Sequence, residues 1–88
     1  MRVIYCNIQP FILDQNVSIY NEETNENIPI GKIALKSLPQ FASDQCKEHN
    51  LHNIVLTGTK MYTNRMAKEI KEYSATKYDS YEINVEVK

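Results

Sequence analysis

Cys46, His49 and His52 fall at three-residue spacing, and a thiolate beside imidazoles is ligand chemistry suited to zinc. A zinc site needs four tetrahedral donors, or three and a water, each oriented by further hydrogen bonds. No fourth donor accompanies these three, and Asn50 stands where a left-handed residue would end a helix between the histidines. The trio therefore reads as a small core thiol and two exposed imidazoles at a helix C-terminus, where positive charge is favourable. No metal and no cofactor is expected.

A second group is basic. Lys60, Arg65, Lys68, Lys71 and Lys77 share one stretch, with Arg65 and Lys68 one helical turn apart, a spacing able to grip phosphates. Glu69 and Glu72 are interleaved with them, which favours a solvated face of intrahelical ion pairs. A third group is aromatic: Tyr5, Tyr20, Tyr73, Tyr78 and Tyr81. On an open sheet such rings stack on bases. They serve protein interfaces equally well, offering apolar area with a polar tip. Nucleophilic chemistry lacks its parts. No nucleophile has a companion base at a recognisable spacing, and two glycines, Gly31 and Gly58, cannot build a glycine-rich phosphate loop. No enzymatic activity is expected.

Composition narrows the field further. A net charge of −1 gives no global pull toward nucleic acid or anionic lipid. No signal-peptide core follows Met1, and no apolar run approaches membrane-spanning length. Two cysteines are too few for a disulfide framework and read as reduced thiols of a cytoplasmic protein. Abundant Ile, Asn, Lys, Glu and Tyr without Trp is the usage of AT-rich coding DNA, pointing to a low-GC bacterium or one of its phages.

The elements that must position these groups are legible in the hydropathy pattern. Residues 2–9 alternate, with Ile4, Cys6 and Ile8 on one face and Val3, Tyr5, Asn7 and Gln9 on the other, until Pro10 ends the strand. Residues 11–15 form a connection to a second strand, 16–20, and the polar stretch 21–27 is a hairpin loop. A third strand, 28–35, changes its apolar phase across Gly31 and Lys32, which calls for a bulge. Ser37 with Gln40 makes a capping box, and Pro39 suits the first turn of a helix over 38–49. Residues 53–57 are apolar on both faces and end at Gly58, so they form the central strand. A second helix spans 59–74, capped by Thr59 or Thr63, with Tyr62, Met66, Ile70 and Tyr73 as its inward stripe. The last strand, 81–87, alternates without a slip and so has one buried and one wet face. Phe41 and Ile70 are the expected anchors of the two helices.

The order β-β-β-α-β-α-β, with right-handed crossovers, places both helices on one face of a five-stranded mixed sheet in the order 3-2-1-4-5. The expectation is a single two-layer α/β domain over 1–88 with the second sheet face open. The rival ferredoxin-like order needs a helix between the first two strands, where the connection is too short. This arrangement resembles the shared core of the ribonuclease H-like and actin-like folds. The run from Asn53 to Thr59, followed by a helix, is similar to the strand–glycine–helix segment that contacts adenosine in actin-like ATPases. The resemblance implies fold, not chemistry. Those ATPases carry paired glycines where this chain has Gly58 and Thr59, and they bind nucleotide between two domains. Ribonuclease H-like nucleases hold a divalent metal on a carboxylate in the first strand, whereas no carboxylate occurs between Met1 and Leu13.

Tyr73 and Tyr81 are expected in the core, and Tyr5 beside Val3 on the open face. The function expected is that of a non-enzymatic accessory or interaction domain, phage-encoded, acting through an exposed open-face strip of Val3, Tyr5, Asn7 and Val55. Its partner is a protein or a second copy of the chain, and no membrane is involved. The alternative is a nucleic-acid-binding module that combines Tyr5 and Tyr20 with Arg65 and Lys68.

Overall fold

The computed structural model describes residues 1–88. Its strands are β1 (Arg2–Ile8), β2 (Asp14–Asn21), β3 (Asn27–Ala34), β4 (Asn53–Gly58) and β5 (Asn84–Val87). Its helices are α1 (Leu38–His49), entered through a 3-10 turn at Leu35–Ser37, and α2 (Lys60–Lys77). One mixed sheet results, ordered β3-β2-β1-β4-β5. β1 runs antiparallel to β2 and parallel to β4, and β4 is parallel to β5. The expected α/β class and strand order are those observed. No helix is long and apolar enough to cross a membrane.

Alternation explains where the core lies. Ile4, Cys6 and Ile8 of β1 share a face with Ile54 and Leu56 of β4, and this face meets Leu38 and Cys46 of α1 and Met66 and Ile70 of α2 in one cluster. Both helices therefore cover the same side of the sheet. Ile70 is wholly buried, whereas Phe41 is only half-buried and packs at Gly31, its ring 3.1 Å from where a Cβ would stand. The bulge falls where the phase change placed it: Val17 pairs with Gly31 but Ser18 with Pro29, leaving Ile30 as the extra residue. Asn50 ends α1 with φ of 56°, and Leu51 N–H returns to Cys46 C=O at 2.8 Å.

Three local expectations are corrected. The capping box does not form: the 3-10 turn leads straight into α1, so Ser37 is already helical (φ −96°, ψ −5°) and its hydroxyl makes no cap bond. Neither threonine caps α2 through its side chain; Thr59 accepts from Tyr62 and Thr63 N–H through its carbonyl, and Thr63 lies inside the helix. The last strand begins at Asn84 rather than Tyr81, because β4 supplies ladder partners only from Asn53 onward.

Both thiols are core groups. Burial pushes Cys6 up to about 11 and Cys46 up to about 12. Neither should react with a disulfide reagent at about pH 8 in the folded protein, and both should react in denaturant, since the thiolate is the nucleophile. Rapid labelling of the native protein would contradict this packing.

Candidate functional site

The open sheet face is built by the opposite set of side chains. Tyr5 on β1 stands across from Ser18 on β2 and Val55 on β4, and Val3 stands across from Tyr20. The expectation of an exposed valine strip is corrected here: Val3 is 1% exposed and Val55 6%. A valine is short, and taller side chains flank these two on the same face, Tyr20 across the ladder and Tyr5 along and beside it. The valines floor a hollow of about 390 Å³ whose walls include Tyr5, Tyr20 and Thr57.

Polar side chains order the rest of this face. The Tyr5 hydroxyl and Thr57 Oγ1 are 3.0 Å apart, and Asn7 Nδ2 donates to the same Oγ1 at 2.8 Å. Gln9 Nε2 donates to Asn7 Oδ1 at 3.0 Å, so the chain of bonds runs on to the carboxyl end of β1. Tyr20 is held separately, its hydroxyl donating to Asn25 Oδ1 at 2.6 Å.

At the carboxyl end of β1 lies the feature that sequence reading passed over. Phe11 is 100% exposed, Leu13 88% and Ile12 51%. Residues 11–15 read as a bare connection, yet three consecutive apolar residues with no element to bury them were the available signal. The loop is not slack. Gln15, 2% exposed, accepts from Gln9 N–H at 2.7 Å and donates to the carbonyls of Gln9 at 2.9 Å and Ile12 at 3.1 Å. Ile12 N–H closes the turn on Gln9 C=O at 3.1 Å. One buried amide thus fixes the backbone from which three apolar side chains project. Ile12 also joins Tyr5, Asn7 and Gln9 in lining a hollow of about 310 Å³, so the loop and the open face are one continuous surface.

The nucleic-acid constellation is not assembled. Tyr5 and Tyr20 lie 6.4 Å apart with planes inclined at 49°, which gives successive bases no common shelf. Arg65 and Lys68 sit on α2, in the layer behind the sheet, and Arg65 is paired with Glu69 at 3.4 Å. The two halves of that site face away from one another.

The remaining polar groups join elements to each other. Asp44 Oδ1 of α1 accepts from Tyr73 and Tyr78 hydroxyls at 3.3 and 2.7 Å and from Lys77 Nζ at 3.1 Å, tying the end of α2 to α1. The hydrogen bond to Asp44 raises the Tyr78 phenol above its ordinary range. Tyr81 donates to Leu51 C=O at 2.7 Å, at the C-terminal turn of α1, and stacks on His52 at 4.5 Å between ring centres. Cys46 is buried, His49 bonds Gln45, and His52 lies against Tyr81, so the zinc trio is not gathered into a ligand set. Comparison with protein-family models, curated proteins and solved structures finds no match to this chain.

Proposed function

We propose that this domain is a non-catalytic protein-interaction module whose contact surface is the loop of Phe11, Ile12 and Leu13 together with the adjoining strip of Tyr5 and Asn7. The observation that carries the reading is the combination of full exposure at Phe11 with a backbone fixed by Gln15. Leaving large apolar side chains in water forgoes about 1.5–3 kcal/mol of burial each, a cost that a partner would recover. A preformed loop also loses little conformational freedom on binding, which favours affinity. The scaffold reads as ribonuclease H-like in its strand order, used here for display, with no carboxylate on β1 to hold a metal.

Selection of a displayed random-peptide library on the immobilised protein tests the reading. Enriched peptides should bind F11S/L13S at least about tenfold more weakly, since removing central apolar anchors costs over 1 kcal/mol. The variant should keep the wild-type circular dichroism, because neither side chain is buried. Peptides that bind wild type and variant alike would contradict it, as would preference for single-stranded nucleic acid over peptide.

A further inference from the structure

The two edges of the sheet are not equivalent. The β3 edge is defended: Pro29 has no N–H to offer, and the bulge at Ile30 breaks the repeat of outward groups. The β5 edge carries neither device. Asn84 N–H donates inward to His52 C=O and Lys88 N–H to Leu56 C=O, so even-numbered residues turn their backbone toward β4. The N–H and C=O of Ile83, Val85 and Val87 consequently point outward, as those of alternate residues do on an edge strand. Their side chains lie on the helix-covered face, where Val85 and Val87 are only half-buried.

We propose that a second copy of the chain pairs here, β5 against β5 in antiparallel register about a two-fold axis, with Val85 opposite Val85 of the second copy. Charge selects both the partner and the register. With Val85 on the axis, Ile83 faces Val87, Asn84 faces Glu86 and Glu82 faces Lys88, so apolar meets apolar and each acid meets an amide or a base. Moving the axis to Glu86 sets that carboxylate against its own copy, and moving it to Asn84 sets Glu86 against Glu82. Of these three registers, only the one centred on Val85 avoids like charges across the ladder. An axis at Ile83 would set Val85 and Val87 against Tyr81 and Asp79, which lie in the bend and turn that precede the extended residues. The Val85 register also employs the outward backbone groups, because Val85–Val85 and Ile83–Val87 become the hydrogen-bonded pairs of an antiparallel ribbon. The product is a continuous sheet across both copies that retains all its helices on one side. Antiparallel pairing sends the two apolar loops to opposite ends, which suits a bridging role.

Sedimentation velocity over a concentration series tests the pairing, with charge reversals at exposed positions that leave the fold intact. Wild type should dimerise. Glu82→Lys and Lys88→Glu each place like charges across both symmetric contacts and should weaken self-association about tenfold. Mixing the two variants should restore dimers, because each of the two contacts in the mixed pair again joins one lysine to one glutamate. A wild type that stays monomeric at about millimolar concentration, the weak end of specific association, would overturn the proposal. So would a dimer indifferent to the reversals, or one lost in F11S/L13S instead; that last result would move self-association to the apolar loop and leave the interaction reading in place.

Discussion

Replacing Gly58 with alanine is expected to destabilise the fold by about 3–5 kcal/mol, the largest effect of any single methyl group added to this chain. Gly58 ends β4 at φ of 122°, a conformation that side chains with a Cβ rarely adopt. Its ladder partner is Ile8 at the end of β1, and a Cβ would stand 2.3 Å from the Ile8 carbonyl oxygen. The obstacle is backbone in the central parallel pair, so no side-chain rotation can relieve it. Urea denaturation of G58A gives the test, and a loss below about 1 kcal/mol would show that the two strand ends are not so closely joined. The same geometry gives this glycine a structural cause: it permits strand closure, and no phosphate need be invoked to explain it.

The second large effect is expected at Gln15. Alanine there removes three hydrogen bonds made by a side chain that is 2% exposed; the Gln9 N–H and the Ile12 C=O lose their partner, while the Gln9 C=O keeps only the Ile12 N–H. Net losses for three such bonds come to about 2–4 kcal/mol. The damage should be local as well as global. Amide exchange at Gln9 and Ile12, whose N–H groups close the loop, should accelerate strongly, while Ile4 and Leu56 in the central strands keep protection up to global unfolding. Unchanged exchange at Gln9 would mean that the loop is held by something other than this amide. If the loop is the docking surface, Q15A should also weaken peptide binding although Gln15 projects no side chain outward, since it sets the cost of ordering Phe11 and Leu13.

The scaffold was readable because period-two alternation and period-3.6 stripes survive in β1, β4 and α2, and crossover handedness then leaves one economical strand order. The bulge was readable from a phase change, and the end of α1 from Asn50. Caps were less so. The S-x-x-Q pattern at Ser37 and Gln40 is local, whereas the 3-10 turn before it is imposed by the way β3 delivers the chain to α1. Alternation at Tyr81 to Ile83 likewise persists in residues that have no ladder neighbour, because a side-chain pattern says nothing about where the adjacent strand begins.

Site residues were harder to read, for a physical reason. Alternation assigns Val3 to the open face, whereas β4 is apolar on both faces and its pattern does not separate Val55 from Ile54 and Leu56. Nor is face the same as exposure, since the shading of both valines by Tyr5 and Tyr20 depends on cross-strand register, which follows only from the assembled sheet. The apolar loop failed in the opposite way. Phe11, Ile12 and Leu13 have the composition of a core segment, so only the absence of anything to pack against marks them as surface. Gln15 carries no local sign at all, since its three partners are selected by the turn it stabilises.

Where a bound peptide touches this domain can be read directly by chemical-shift mapping. The labelled protein would be titrated with a peptide selected on the wild type, and backbone amide resonances followed residue by residue. The largest shifts should cluster at Phe11, Ile12 and Leu13 and extend to Tyr5 and Asn7, with Lys68 and Glu72 on α2 unmoved. Shifts concentrated on α2 or on β3, with the 11–13 loop silent, would contradict the apolar loop as the docking surface.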